Sequence, residues 1–327
     1  MSTSTNRTGG ANGAGTGTGT STSTGTNANA STASPASTHS DNATLARLHG
    51  ALLLMLKDFS ALCARENLTW VVMYGTAIGV LRHKGFIPWD DDVDIAMSRD
   101  DLEKLTAIVQ SDPVVSERYC MVDAQLNPRY PMATSRFMLR DTEFRDANLA
   151  TMDFESGIFL DLFPLDDLAD NERAFRRQVW RAWLYNKLAI AKLTRNPYVA
   201  GGGARATVLK AGATVARGLL NLPGLRSIRL NERSLGWQTR YRGQRTRRVG
   251  YLCDTNRFWD IYDREDLFPV CMAAFEDMEV PLARRAEKLL SALYGDFMTP
   301  PPENARAEHY PEILDLGPWE HAAPLEL

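Results

Sequence analysis

The sequence predicts an α+β (α/β) protein in which a mixed β-sheet is flanked by helices and carries a helical insertion. Apolar residues recur at helical spacing in residues 41–67 and 98–110. Short apolar runs at 68–73, 93–97 and 157–164 have instead the length and composition of strands. At 44% hydrophobic and 24% charged residues, the 327-residue chain has the ordinary composition of a globular protein.

Changes in composition divide the chain into four segments. Residues 1–40 are almost entirely Ser, Thr, Gly, Asn and Ala, and we expect a disordered tail because they cannot bury enough apolar surface to offset the entropy of ordering. Residues 41–170 are predicted to form the core of the fold and 171–248 a basic helical insertion. Residues 249–327 are predicted to complete the core.

Charge and cysteine content narrow the possible partners and compartment. The net charge of −3 gives no general attraction to nucleic acid, so no nucleic-acid partner is expected. The four cysteines show no CxxC spacing and are predicted to be reduced, buried thiols: Cys63, Cys120, Cys253 and Cys271. The chain shows neither an apolar run of bilayer length nor a secretory h-region, so a cytoplasmic protein is expected.

The most informative stretch is YGTAIGVLRHKGFIPWDDDVDIAM, residues 74–97. It ends in four carboxylates within five residues, Asp90, Asp91, Asp92 and Asp94. Because side chains alternate along a strand, Asp92 and Asp94 point to one face while Val93 and Ile95 point to the other. Paired oxygen ligands of this kind suit Mg²⁺ or Mn²⁺.

A solvated loop and an EF-hand are two other interpretations of this acidic run. A solvated loop is the usual setting of such runs, but it does not explain the apolar residues interleaved with the carboxylates. An EF-hand would need Gly where Ile95 stands and a bidentate Glu where Asp101 stands.

Residues near the carboxylates have the chemistry to bind phosphate. Gly75 and Thr76 precede a short predicted helix, whose N-terminal amides could hold a phosphate. Arg82, His83 and Lys84 follow that helix and could bind substrate phosphates. A solvent-exposed basic turn remains the alternative for these three residues.

A third carboxylate lies in the middle of the apolar run GIFLDLFP, residues 157–164. A buried, unpaired Asp161 would cost several kcal/mol, and a metal shared with Asp92 and Asp94 would remove that cost. The alternative is an aspartate that caps a turn at the end of a strand.

The predicted insertion is rich in arginine and aromatic residues. Its basic face could hold nucleotide phosphates, an anionic polymer or the membrane surface. A solvated surface is equally compatible with the pattern.

These motifs resemble the LicD/fukutin family of phosphotransferases. The resemblance rests on GTAIGVLRHKGFIPWDDDVDIAM (75–97), GIFLDLFPLD (157–166), FEDMEVP (275–281) and YGDFMTPPPE (294–303) with His309. The motifs occur in the family's order and span residues 43–310, although residues 171–248 match weakly.

The resemblance implies a nucleotidyltransferase-like fold with its catalytic core in residues 41–170 and 249–327. The implied catalytic and metal-binding residues are Asp92, Asp94 and Asp161. The implied substrate-binding residues are Gly75 and Thr76 of the phosphate turn with Arg82, His83, Lys84 and Arg140. Tyr74 departs from the first Gly of the family's usual Gly-Gly, and Thr76 stands where the wider fold often has Ser, but neither change removes a ligand.

The resemblance also implies a reaction. A phosphorylated alcohol, such as phosphocholine or a polyol phosphate, would move from a CDP-linked donor to a sugar hydroxyl of a cell-surface or lipid-linked glycan, with Mg²⁺ or Mn²⁺ as cofactor. Lipopolysaccharide or teichoic acid biosynthesis would place the protein at the inner face of the membrane, in peripheral contact with it.

Two rival functions remain distinguishable. A metal-dependent glycosyltransferase using a nucleotide-sugar would release UDP or GDP instead of a nucleoside monophosphate. A non-catalytic binding protein with the same fold is expected to lack one of the three carboxylates, and all three are present here.

Overall fold

The computed structural model describes residues 35–145, 156–194, 204–225, 227–303, 306 and 311–327. Within these residues a nine-stranded mixed sheet is flanked by helices, and a two-stranded sheet lies beside it. The predicted fold class is therefore confirmed.

The bounds of the elements are as follows. The helices are α1 Pro35–Arg65, α2 Tyr74–Arg82, α3 Arg99–Ser111, α4 Pro113–Arg118, α5 Glu172–Leu193, α6 Ala204–Leu220, α7 Leu230–Gln238, α8 Arg264–Leu267 and α9 Ala286–Tyr294. The strands are β1 Trp70–Val72, β2 Asp94–Ser98, β3 Tyr119–Val122, β4 Ser135–Leu139, β5 Glu143–Arg145, β6 Phe159–Leu168, β7 Arg248–Gly250, β8 Ile261–Asp263, β9 Cys271–Phe275, β10 Met278–Leu282 and β11 Ile313–Asp315. No helix in this described part of the chain is both long and apolar enough to cross a bilayer.

The long strand β6 organises the sheet. It pairs in parallel with β2 and antiparallel with β4, within the order β3-β4-β6-β2-β1-β10-β9. Its C-terminal residues pair with β7, which in turn pairs with β8. Strand β6 therefore connects β2 and β4, from the first part of the chain, with β7 and β8, from its later part.

Helix α1 covers one face of the sheet and supplies much of the core. Phe59 is fully buried and makes edge contacts with Trp70 at 5.3 Å and with Phe137 at 5.6 Å between ring centroids. The helix begins at Pro35, earlier than the expected start at residue 41, and no Gly or Pro interrupts it before Gly50. The remainder of the predicted tail, residues 1–34, lies outside the described residues.

The described part of residues 171–248 is helical, as predicted, and has a small core of its own. Buried side chains from the end of β6, α5 and the segment after β7 form that core: Leu168, Ala169, Phe175, Val179, Ala182 and Leu252. A buried ion pair joins this region to the sheet, because Arg99 contacts Asp166 through two hydrogen bonds of 3.0 and 2.6 Å and also donates to Gln238 of α7 at 2.9 Å. The division of the chain into a core and an insertion stays a prediction.

Strand β6 continues through Asp166 and Asp167, because Asp166 is paired with Arg99 and the strand is paired with β7. The segment 275–281 turns at Glu276, where φ is +52°, and forms the β9–β10 hairpin, which α9 follows. The four cysteines are free, as expected, but Cys120 is only half-buried and Cys271 is exposed.

We expect Asp166→Ala to lower the free energy of unfolding by about 3–5 kcal/mol, because it leaves the buried Arg99 guanidinium without its counter-charge. Guanidinium denaturation of the two proteins measures the difference. The matched control is Glu143→Ala, which removes an ion pair with Arg145 whose side chains are 42% and 55% exposed, and it should cost less than about 1 kcal/mol. Equal losses in both variants would contradict a structural role for the buried pair.

Candidate functional site

The register of three neighbouring strands brings charged side chains to one level of the sheet. Asp94 on β2 is the register partner of Asp161 on β6, and Asp161 is the partner of Arg136 on β4. Residues directly opposite each other on paired strands point to the same face. The sheet therefore aligns two carboxylates and a guanidinium side by side, and Arg136 Nε donates to Asp161 Oδ1 at 3.3 Å.

The acidic run adds further carboxylates just before β2. The ligand oxygens of Asp90, Asp91 and Asp92 all lie within 4.8 Å of one another. Asp92 is close enough to Asp161 and Asp94 for its charge to act on both. Asp92, Asp94 and Asp161 are thus electrostatic neighbours, but the group whose ligand oxygens lie within 4.8 Å among the described residues is Asp90, Asp91 and Asp92. The predicted ligand set of Asp92, Asp94 and Asp161 stays a prediction.

Burial and mutual repulsion raise the pKa values of these carboxyl groups. Burial is the largest cause in each case. At Asp92, burial and repulsion from Asp161 raise the pKa to about 6. At Asp90, burial and repulsion from Asp92 and Asp91 raise the pKa to about 8. The same causes place the pKa of Asp94 well above its ordinary value. Burial also raises the pKa of Asp161, while Arg136 opposes that shift.

A divalent cation fits this donor set. Asp94 and Asp161 share one face of the sheet, half-buried carboxylates of the segment before β2 lie near them, and Arg136 only partly compensates the repulsion among these groups. All the donors are oxygens, the ligand type that Mg²⁺ and Mn²⁺ prefer.

The predicted phosphate turn lies directly against this cluster. A Cβ on Gly75 would lie 2.6 Å from Asp90 Oδ2, so a larger residue would displace the Asp90 carboxylate from its present position. The buried Thr76 hydroxyl accepts a hydrogen bond from the Asp94 amide at 2.9 Å and so fixes the start of β2. No side chain caps the N-terminus of α2 at Met73, which leaves first-turn amides available to an anion.

The three predicted basic residues have different environments. Arg82 is half-buried beside Asp90 and donates to the Phe297 carbonyl at 2.7 Å. His83 accepts a hydrogen bond from Arg82 at 3.3 Å, and burial lowers its pKa. The side chain of Lys84 is exposed, and its backbone has φ of +61°.

The loop that carries these residues is anchored by the β9–β10 turn. The Glu276 amide donates to the Lys84 carbonyl at 2.7 Å, and its carboxylate accepts from the Phe86 amide at 3.0 Å. A Cβ on Gly85 would lie 2.0 Å from Glu276 Oε1, so a larger residue would displace the carboxylate that accepts from the Phe86 amide. The FEDMEVP motif therefore contributes to the site by holding this loop.

The structure does not bring Arg140 to the carboxylates. Arg140 follows the end of β4, four residues beyond Arg136, and its guanidinium donates to the carbonyls of Ser116 and Tyr119 at 2.9 and 3.1 Å. Four residues of strand span about 13 Å. Arg136, which the sequence analysis did not single out, is the arginine at the site.

Asp260, which the sequence did not indicate, is hydrogen bonded to Tyr74 next to the site. Asp260 is 1% exposed and accepts a hydrogen bond from the Tyr262 hydroxyl at 3.0 Å, and it is also hydrogen bonded to Tyr74. Burial and the adjacent Asp254 carboxyl raise the pKa of Asp260 to about 7. Its charge acts on Asp94, so this group belongs to the same electrostatic environment. No motif marks Asp260, which is why the sequence alone did not identify it.

Arg306 and Arg82 both lie against the ring of Trp89, the residue that precedes the acidic run. The Arg306 guanidinium lies 4.2 Å from the centroid of the Trp89 ring, and Arg82 contacts the same ring at 5.8 Å. The charges of the two arginines repel each other. Two neighbouring guanidinium groups beside an acidic metal-type site form a favourable position for an anionic group.

A cavity of about 630 Å³ lies between residues 123–135 and helices α5 and α7. None of the clustered aspartates lines it; Arg99 and Gln238 of the buried ion-pair cluster do. Asn186 of α5 also lines it and is 2% exposed. The cavity is thus a second space with a buried amide in its wall.

Comparison with known proteins finds the family that the sequence motifs resemble. Residues 67–184, which contain the three clustered aspartates, match the LicD/FKTN/FKRP nucleotidyltransferase domain. The chain is 25% identical over 272 residues to the lipopolysaccharide cholinephosphotransferase LicD of Haemophilus influenzae, covering 82% of this chain and 96% of that protein. Uncharacterized proteins of Rickettsia prowazekii and Rickettsia typhi are each 37% identical over 51 residues, which is 16% of this chain and 19% and 16% of those proteins.

The raised pKa values predict how stability depends on pH when no divalent cation is present. A carboxyl with a raised pKa binds its proton more tightly in the folded state, so stability should fall as the pH rises from about 4 through about 8. Asp94→Asn removes one repelling charge and should raise the melting temperature at pH 8 by about 2–4 °C in chelator. Thermal melts across this pH range test both expectations.

Exposed Glu117 provides the control, since Glu117→Gln should change neither the melting temperature nor its pH dependence. Added Mg²⁺ should stabilise the parent protein more than the Asp94→Asn variant. A flat pH profile in chelator, or equal stabilisation of both proteins by Mg²⁺, would contradict a coupled carboxylate site.

Proposed function

The chain belongs to the LicD/FKTN/FKRP nucleotidyltransferase family, and we propose that it moves a phosphorylated alcohol from a CDP-linked donor to a sugar hydroxyl of a cell-surface glycan. Phosphocholine is the first group to test, because the Haemophilus influenzae relative is named as a lipopolysaccharide cholinephosphotransferase. A polyol phosphate and a teichoic acid acceptor are the alternatives within the same reaction.

One observation carries the proposal. Asp94, Asp161 and Arg136 lie side by side on three adjacent strands, with Asp92 close to both carboxylates and the uncapped N-terminus of α2 beside them. This arrangement supplies metal ligands, a cation and amide donors in one place. Phosphoryl transfer depends mainly on such positioning and electrostatic stabilisation.

Asp92, Asp94 and Asp161 would hold Mg²⁺ or Mn²⁺. The cation, when bound, neutralises negative charge on the donor diphosphate and on the nucleoside monophosphate that leaves. Arg136 partly balances Asp161, which keeps that carboxylate available as an oxygen donor.

The donor phosphates are proposed to lie between the α2 N-terminus and the arginines on the Trp89 ring. The amides of the first turn of α2, near Gly75, donate to phosphate oxygens. Arg82 and Arg306 contribute two guanidinium groups from the other side. The roles of His83, Lys84 and Arg140 as phosphate contacts stay predictions.

The acceptor hydroxyl is proposed to approach from the Asp161 side. Its oxygen forms the new bond to phosphorus while the bond from phosphorus to the nucleoside monophosphate oxygen breaks, and the hydroxyl proton passes to Asp161. The cavity would hold the sugar of the acceptor, with Asn186 donating to or accepting from a ring hydroxyl.

A lipid-linked acceptor would place the protein at the inner face of the membrane. Cytoplasmic location with peripheral membrane contact is therefore part of the proposal.

The first experiment measures the released nucleotide. We expect the protein, given Mg²⁺, CDP-choline and a lipopolysaccharide acceptor fraction, to release CMP and to add phosphocholine to the acceptor, both detected by mass spectrometry. Asp94→Asn should reduce CMP release by about 10²–10³-fold, since a group that positions and stabilises charge is lost. CDP-linked polyols and nucleotide-sugars complete the donor panel.

The control Glu117→Gln lies outside the cluster and should keep full activity. Release of UDP or GDP from a nucleotide-sugar, without CMP from any CDP-alcohol, would show a glycosyltransferase and overturn the proposed reaction. CMP release that is unchanged in Asp94→Asn would overturn the assignment of the site.

A separate prediction concerns the cavity. Asn186→Leu keeps a side chain of similar size but removes the amide, so we expect the KM for the acceptor to rise about tenfold while kcat changes little. Thermal melts establish that the variant is folded. An unchanged KM in a folded variant would show that the cavity does not hold the acceptor.

A further inference from the structure

Helix α6 and the turn after it expose a row of aliphatic side chains. The exposed fractions are 69% for Val208, 63% for Val215, 54% for Leu219, 50% for Leu222 and 40% for Leu225. The first three follow helical spacing of seven and four residues, which places them on one face of α6, and Leu222 and Leu225 lie in the turn that follows. Helix α6 packs against α5, so this apolar row is the side of α6 that the fold leaves open.

The same region is strongly basic. Residues 173–231 contain twelve Lys and Arg residues and no Asp or Glu, although the whole chain has a net charge of −3. Lys210 is exposed on α6 but lies about 200° around the helix from Val208, on another side from the apolar row. An apolar helix face within a strongly basic region is typical of a helix that lies in the interface of an anionic bilayer.

The charge argues against a second copy as the occupant. A two-fold interface would use the same patch on both copies and would bring the two basic regions together. The row contains aliphatic residues and no aromatic ones, which does not match the stacking surfaces that bind single-stranded nucleic acid.

We propose that the exposed face of α6 and the turn to Leu225 bind the surface of a membrane rich in anionic lipids. The aliphatic side chains enter the region between head groups and acyl chains, and the positive charge of residues 173–231 attracts the anionic head groups. This inference deepens the proposed function, on which it rests only for the idea that the acceptor is attached to a lipid.

The position of the segment in the chain connects it to the cavity. Lys192 at the end of α5 donates to the Ile228 carbonyl at 3.0 Å, and both residues line the cavity. The residues just before α6 in the chain and those just after its turn thus both line the cavity. Membrane binding through α6 would bring this cavity close to a lipid-linked glycan.

Vesicle sedimentation of the full chain, without donor or acceptor, tests the proposal. We expect binding to vesicles of phosphatidylcholine with phosphatidylglycerol, weak binding to phosphatidylcholine alone, and loss of binding as salt is added. Val215→Asp and Leu219→Asp should each weaken binding about tenfold, and Lys210→Glu should weaken it severalfold.

The matched control is Val114→Asp on α4, which changes a residue that is 51% exposed and lies outside the basic region. It should bind vesicles like the parent. Thermal melts establish that all variants are folded, and CMP release with a soluble acceptor should be the same in all of them. Because vesicle binding is measured by itself, loss of the proposed activity and loss of membrane binding are separate results.

Binding that Val215→Asp and Leu219→Asp leave unchanged would overturn the proposal, as would equal binding to neutral vesicles. Sedimentation velocity gives a further test. A dimer that dissociates in Val215→Asp would assign the face to a second copy of the chain instead.

Discussion

Repulsion among half-buried carboxylates is the constraint around which this protein is built. Asp94 and Asp161 occupy the same level of two parallel strands, and Asp92 lies close enough to repel both. Arg136, on the next strand, offers a neighbouring positive charge within the sheet. The fold therefore holds together groups that would separate in solution, which is a typical feature of a site prepared for a cation and anionic substrates.

Much of the surrounding structure keeps this arrangement in place. Gly75 allows α2 to approach the acidic run, and Thr76 fixes the first amide of β2. Glu276 holds the loop between α2 and the aspartates from a hairpin about 190 residues further along the chain. Asp260 supports Tyr74 from the other side. Motifs far apart in the sequence thus serve a single site.

The helical region of residues 171–248 adds two features, a cavity and an exposed helix face. The buried pair of Arg99 and Asp166 attaches it to the sheet, and residues of α5 and α7 line a cavity that also includes Arg99. The exposed aliphatic side chains of α6 lie on the side that does not pack against α5. In the function proposed here, the sheet positions charge, the cavity holds the acceptor sugar and the exposed face of α6 binds the membrane.

Sequence by itself determined the α+β class and the aspartate pair, because helical and strand periodicity and the alternation of side chains are short-range properties. It also pointed to Asp161, because a lone carboxylate in an apolar strand has a recognisable cost. Only the tertiary structure decided that Arg136, and not Arg140, contacts Asp161, and that Asp260 supports the site. Those facts depend on the register between strands far apart in the chain, and no local pattern encodes that register.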